Sequence, residues 1–312
     1  MKSECKILNF GSFNIDEVYQ LDTFLKPGET KSSTGYEIDC GGKGLNQSVA
    51  AAKAGSEVWH AGPIGEDGRF LVEKLEEFGV NTRFVKVLDA RSGRAVIMVD
   101  AKGQNCIVLF PGTNALVTEE YVDYVFDSFP DGQAVMLQNE LNCLPYIIHT
   151  AKRHGHRIFL NAAPMTDAVF ACDLTELECL IVNEVEGKQL AGCDSDDAIL
   201  PVLQERYPGL HILLTLGENG AIYSAGGEEW TIAARKVEVK DTTAAGDTFC
   251  GFFIHHLLRG DSAAVSLERA TLASSVCVSR KGAADAIPTG EEVDELLGND
   301  SGSVPKAHKG AV

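Results

Sequence analysis

The chain has 312 residues, 45% of them apolar, and a formal charge of −18. Its length suits one large α/β domain or two average ones, and no run reaches the ~20 apolar residues that a membrane span needs. So acidic a surface repels nucleic acid and anionic membranes, and nine cysteines without a CxxC pair point to reduced cytosolic thiols in place of a disulfide framework or a zinc site.

The start, MKSECKILNFGSF, lacks the apolar core and small-residue cleavage site of a secretory signal. Within it, CKILNFG (5–11) predicts a buried strand ending at Gly11. Residues 15–38 are rich in alternating and β-branched positions, and so are residues 92–110, with RAVIMVD and QNCIVLF. No helix interrupts either stretch, so together they predict a small antiparallel sheet standing off the main body. LNQSVAAAKAG (45–55) predicts a helix closed by glycine. EVWHAG (57–62) predicts a strand, and DGRFLVEKLEEFGV (67–80) a helix with acidic residues near its start. AVMLQ (134–138), RIFLNA (157–162), LIVNE (180–184) and HILLTLG (211–217) are short apolar strands, separated by helical stretches such as LPYIIHTAKRHG (144–155). Repeated β-α units of this kind predict a mostly parallel sheet with helices on both faces. Apolar residues at 249, 252, 253, 257 and 258 share one helical face, so a helix should begin around Ala244–Asp247. The whole reads as a single domain over 1–300, and the polar, Gly/Ser-rich end predicts a mobile tail over 301–312.

The chemistry concentrates in two glycine-bearing turns. DTTAAGD (241–247) sets small residues over the first backbone N–H groups of a helix. Those groups carry partial positive charge and can hold a phosphate. Asp247 in that first turn has two readings. It can simply complement the helix dipole, or it can take a proton from a hydroxyl attacking a phosphorus held at the same helix end. CGGKGLNQ (40–47) bends tightly before the earlier helix and lets a ligand approach the backbone, with Lys43, Asn46 and Gln47 as its polar groups. It fits neither GxGxxG nor GxxxxGK[ST], which disfavours dinucleotide and Walker-type sites. TLGENG (215–220) is either a nucleotide-contacting turn or an ordinary hairpin. The eight histidines form no HxxxH or HExxH pair.

GGKGLNQSVAAAKAG and DTTAAGDTFCG together resemble the two motifs of the ribokinase-like (PfkB-type) carbohydrate kinases. The likeness runs over nearly the whole chain. NFGSFNIDEVY (9–19) is similar to that family's first strand and sugar-facing polar pair, and LKPGET (25–30) to its lid segment. FPGTN (110–114) is similar to the return into the core, VNEVE (182–186) to an N-x-x-E element, and SRKGAADAIP (279–288) to the final loop. The resemblance implies a ribokinase-like three-layer α/β/α sandwich with a small β-sheet lid. It implies an ATP-dependent sugar kinase, with O5 of ribose as the expected acceptor. Deoxyribose, fructose, ketodeoxygluconate and adenosine are the alternatives within that class, and a non-catalytic sugar- or nucleotide-binding regulator is the alternative outside it.

By the same resemblance Asp247 is the catalytic base, and the N–H groups of Ala244, Ala245 and Gly246 form an anion hole. Asn14, Asp16, Gly42, Lys43, Asn46 and Glu140 surround the sugar, although Asn139 stands where the family has an apolar residue. Asn183 and Glu186 orient the ATP phosphates and the water shell of Mg²⁺, while Thr215, Gly217 and Gly220 line the nucleotide. Asp241 and the carbonyls of Thr243, Cys277, Arg280 and Gly282 match a monovalent cation site for K⁺, with Ala286 where a serine hydroxyl is common. From the residues alone, Asn14 and Asp16 could equally form a turn, Lys43 could be a solvated charge, and Glu186 an ordinary first-turn acid. An exposed lid edge invites pairing with a second copy, so the resemblance also implies a cytoplasmic homodimer joined through its lids.

Overall fold

The computed structural model describes residues 5–299 and 307–310. Strand β1 (Ile7–Phe10) leads into a hairpin, β2 (Asn14–Gln20) and β3 (Gly35–Gly41), and then into helix α1 (Lys43–Ala54). β4 (Val58–Gly65), α2 (Arg69–Glu77) and β5 (Asn81–Leu88) follow, then a second hairpin, β6 (Gly93–Val99) and β7 (Asn105–Phe110), and α3 (Glu119–Ser128). Strands β8 (Ala134–Gln138), β9 (Arg157–Asn161), β10 (Cys179–Asn183) and β11 (His211–Thr215) come next. They are separated by α4 (Leu144–Arg153), the single turn α5 (Asp167–Phe170), and the pair α6 (Glu184–Ala191) and α7 (Asp196–Arg206). After the hairpin β12 (Ala221–Ala225) and β13 (Glu228–Ile232) come α8 (Ala245–Arg259), α9 (Ala263–Val278), α10 (Gly290–Asn299) and β14 (His308–Gly310).

Ten strands form the main sheet in the order β14-β13-β12-β11-β10-β9-β8-β1-β4-β5. From β11 to β5 every pair is parallel, and β12 to β14 are antiparallel. The parallel strands are short and apolar because both of their faces are covered. Successive residues serve opposite layers: Ile7, Met136 and Ile181 face a core built with α1, α8 and α9, while Leu8, Leu137 and Val182 face one built with α3, α4 and α7. A three-layer α/β/α sandwich results.

The second sheet has the order β3-β2-β6-β7. Each hairpin is antiparallel, as its sequence predicts, but the two hairpins meet through a parallel pair running from Asn14↔Gly93 to Gln20↔Val99. The reason is topological. β2 follows β1 and β6 follows β5, so both leave from the same ends of parallel strands. Arg94 of β6 ties this lid to the body: its guanidinium reaches Glu17 of β2 and lies 2.6 Å from Asp67. Asp67 in turn accepts from the backbone N–H (3.0 Å) and hydroxyl (2.9 Å) of Ser92.

One expectation is corrected at the C-terminal end. Residues 301–306 and 311–312 of the expected tail lie outside the described residues, but His308–Gly310 pair with Glu229–Thr231 of β13 as a further strand. The side of β13 away from β12 takes this segment as its partner strand, and the Lys309 ammonium pairs with Glu228 beside it, so a segment read as polar tail finds partners on the sheet.

Candidate active site

Two close approaches bring the distant motifs together. At Gly44 a Cβ would lie 2.1 Å from the Ser12 nitrogen, so α1 can start directly against the end of β1. At Gly251 a Cβ would lie 2.4 Å from Ala50 Cβ, so α8 packs backbone-close on α1. The first turn of α8 therefore faces the first turns of α1. Asp247 is buried there. Its Oδ2 accepts from Asn46 Nδ2 at 3.1 Å and its Oδ1 from Gln47 Nε2 at 2.9 Å.

Ala244 caps α8 with φ 59°, a left-handed conformation rare for a residue with a Cβ. Its carbonyl accepts from Thr248 Oγ1 at 2.8 Å. That turn aims the start of the helix at a cavity of about 190 Å³, lined by Lys43, Asn161, Asn183, Glu186, Thr215 and residues 244–247 among others. Of the three amides expected to form an anion hole, that of Ala245 donates to Thr242 O at 3.3 Å. Those of Ala244 and Gly246 make no such backbone bond among the described residues. Ala245 is thus already engaged in closing the turn.

Glu140 accepts from the hydroxyl of Ser12 and, at 2.9 Å, from the backbone N–H of Lys43. Burial raises its pKa against those two groups. The Asp247 carboxylate, helped by Glu140 and Glu186, holds the Lys43 ammonium above its usual value in spite of burial. Asn14 is fixed by Asn114, whose Nδ2 donates to its Oδ1 at 2.9 Å. Gly42 has φ 98° at the start of α1, where a Cβ would meet the Asn14 nitrogen at 2.9 Å. Asn139 turns away from this group, donating to Pro164 O and Thr166 Oγ1, so its polarity is spent outside the cluster.

Asp16 sits beside these acids, and Gly41 opposite leaves room for its carboxyl. Burial first, then Glu140, Asp39 and Asp247, push it from the ordinary 3.8 up to about 7. The folded protein therefore keeps a proton that the unfolded chain releases. The stability this proton confers is full below the unfolded value and is lost as pH rises through about 7. Asp16→Asn should accordingly gain on the wild type as pH rises between those limits. Thermal melts across that range would show a growing difference in Tm, and a constant difference would contradict this account.

On the far side of the cavity Asn183 and Glu186 form a reciprocal cap on α6. Asn183 Oδ1 accepts from the N–H of Val185 (2.9 Å) and of Glu186 (2.8 Å), and Glu186 Oε2 accepts from the N–H of Asn183 at 3.0 Å. Glu186 is buried, which raises its pKa. It is a first-turn acid, and it also stands in the cavity wall. Thr215 lines the cavity too, but Gly217 and Gly220 lie past it in the turn to β12. A Cβ on Gly220 would meet Ile232 O at 1.9 Å, so that glycine serves the hairpin.

The expected cation-binding segments do converge. Asp241 accepts from the N–H of Thr243 at 2.9 Å and of Gly282 at 3.0 Å. Cys277 Sγ lies 3.7 Å from Thr243 O, and the Arg280 N–H donates to Cys277 O at 3.0 Å. The Arg280 guanidinium itself is turned outward to Glu292. Among the described residues no three His, Cys, Asp or Glu side chains cluster as a metal site, so one carboxylate and carbonyl oxygens are what this spot offers.

Sequence reasoning missed Ser12, Asn114, Asn161 and Gln138. Gln138 carried a signal: it continues the alternate positions of Ala134 and Met136 on the core face of β8, where a polar group needs a partner.

A family model described as pfkB family carbohydrate kinase matches residues 5–290. A deoxyribokinase of Salmonella typhi is 32% identical over 299 residues, covering 92% of this chain and 97% of that protein. A ribokinase of Schizosaccharomyces pombe is 34% identical over 311 residues, covering 92% and 96%. The crystal structure of a ribokinase from Cryptococcus neoformans in complex with ADP matches with a TM-score of 0.84 at 34% identity, covering 95% of this chain and all of that one.

Proposed function

We propose, since the chain belongs to the pfkB family of carbohydrate kinases, that it transfers the γ-phosphoryl group of ATP to O5 of ribose. The observation that carries this reading is a buried carboxylate, Asp247, opening onto the same cavity as the free amides at the start of α8. In the reaction the acceptor O–H bond breaks as its proton passes to Asp247. The acceptor oxygen bonds to phosphorus, and the P–O bond to ADP breaks. Such transfer depends on positioning and on donors aimed at developing charge. The amides of Ala244 and Gly246 and the Lys43 ammonium supply those donors. Asn14, Asp16, Asn46 and Glu140 orient the sugar hydroxyls against the wall left open by Gly42.

Asn183 and Glu186 face the nucleotide phosphates, with Thr215 beside them. When bound, Mg²⁺ neutralises phosphate charge and K⁺ adds positive charge behind the anion hole. Glu186 would hold the water shell of the first, and Asp241 with the carbonyls of Thr243, Cys277, Arg280 and Gly282 would hold the second. The lid closes over the sugar and excludes water. Its outer strands expose Tyr36, Ile38, Ile107, Val108, Leu109 and Phe110, which suits pairing with the lid of a second copy; light scattering that gave a monomer would remove the dimer. No helix among the described residues is long and apolar enough to cross a membrane, and all nine cysteines are free thiols, so we place the enzyme in the cytoplasm.

The deoxyribokinase likeness favours 2-deoxyribose as a second acceptor. A panel of sugars assayed for ATP consumption, with and without potassium, tests the reading. Ribose should give the highest kcat/KM. A higher value for another sugar would reassign the acceptor, and calorimetric sugar binding without turnover of any sugar would make the protein a regulator.

A further inference from the structure

Behind Asp247 lies a buried chain of polar side chains, none of which touches the cavity. Its donors and acceptors can be assigned from the far end. His60 is fully buried, and burial pushes its imidazole down to about 3, so the ring is neutral. Its Nε2 is 3.1 Å from Gly11 O, which can only accept, so Nε2 carries the hydrogen and Nδ1 accepts. Ser48 Oγ, 2.8 Å from Nδ1, must donate to it. Asn9 Nδ2 donates to Ser48 Oγ at 2.8 Å and to Gly44 O at 2.7 Å, leaving Asn9 Oδ1 to accept from Gln138 Nε2 at 3.0 Å. The second Gln138 hydrogen goes to Gln47 Oε1 at 2.7 Å. With its oxygen so held, Gln47 can present only its Nε2 to Asp247.

We propose that this chain fixes the polarity of the Gln47 amide, so that Gln47 is a positioning residue that keeps an N–H, and never a carbonyl, against Asp247 Oδ1. The inference rests on the reading of Asp247 as the base. An unsupported glutamine could turn its oxygen and nitrogen about, since the two ends are nearly the same shape; a carbonyl against the carboxylate would repel it. Asn46 provides the contrast. Its Oδ1 is buried with no partner among the described residues, so only Asp247 itself orients its amide. Oδ1 of Asp247 is therefore permanently occupied, and Oδ2, held by the reversible Asn46 amide alone, is the oxygen that receives the hydroxyl proton.

Charged or ionisable groups facing Asp247 from other elements are Lys43 on α1, Asp16 on the lid, Glu140 after β8 and Cys277 on α9, with Cys250 on its own helix. None of them is changed in the test. Gln47→Leu, Gln138→Leu and the double variant are assayed with ribose and ATP across the neutral pH range, with thermal melts as the check on folding. Gln47→Leu should lower kcat by roughly tenfold or more, the worth of a hydrogen bond to a charged group, with the KM for ATP little changed. The acid limb of its kcat profile should move to higher pH, because the ionised carboxylate has lost a donor. Gln138→Leu, which touches no reacting atom, should act in the same direction but less, and should add nothing in the Gln47→Leu background. Gln47→Glu, nearly the same shape, keeps the Gln138 contact and should move the acid limb further still. Additive effects on kcat, or lowered melting with an unmoved pH profile, would reduce the chain to packing and overturn the proposal. A fully active Asp247→Asn would instead remove the base reading beneath it.

Discussion

Asp247→Asn is expected to turn over at least about a hundredfold more slowly than the wild type, the lower end of what one general base contributes. The fold should survive the change. The new amide oxygen can still accept from Gln47 Nε2, now 2.9 Å from Oδ1. The new NH₂ group can face Asn46, whose unpartnered Oδ1 becomes its acceptor once that amide rotates. Lys43 loses the carboxylate that most favours its charge but keeps Glu140 and Glu186. ATP should therefore still bind, and calorimetry beside a turnover assay separates the two effects. Turnover near the wild-type rate in a folded variant would strip Asp247 of its role and leave it as a carboxylate complementing the α8 dipole.

Gly251→Ala should destabilise the protein and harm the site together. The added Cβ would fall 2.4 Å from Ala50 Cβ and 2.7 Å from the backbone nitrogen of Ala51. Neither is the flexible end of a side chain, so α8 and α1 must move apart. Overpacking of this kind costs about 1–3 kcal/mol, visible as a Tm lowered by several degrees. Activity should fall further than stability, because Asn46 and Gln47 hold Asp247 only across that helix contact, at 3.1 and 2.9 Å. Melts and kcat measured on the same preparation check both. An unchanged Tm with unchanged kcat would mean that the two helices can give way without consequence.

The sequence made legible what is local. The bounds of β8 are those of its apolar run, and α8 begins inside the predicted window at Ala245, because short apolar runs and small-residue turns act on neighbouring residues. Three kinds of feature stayed hidden. The parallel junction of the lid hairpins depends on where β1 and β5 end in space, which no alternation pattern within 15–38 or 92–110 records. The strand at 308–310 depends on an open edge contributed by β13. The site itself is a matter of partners far apart in sequence. Asn9 and Gln138 are separated by 129 positions, and Gln47 and Asp247 by 200. Likewise the polar pair Asn14 and Asp16 reads as a possible turn until the fold buries Asp16 near other acids, where burial first and then Glu140, Asp39 and Asp247 raise it to about 7.

The strand that residues 308–310 lay along β13 governs how the chain can be engineered. Trimming from residue 307 onward would strip it off. That change leaves β13 with a bare row of peptide groups ready to template another molecule, so preparations shortened there should clump on concentration while the distant pocket stays intact.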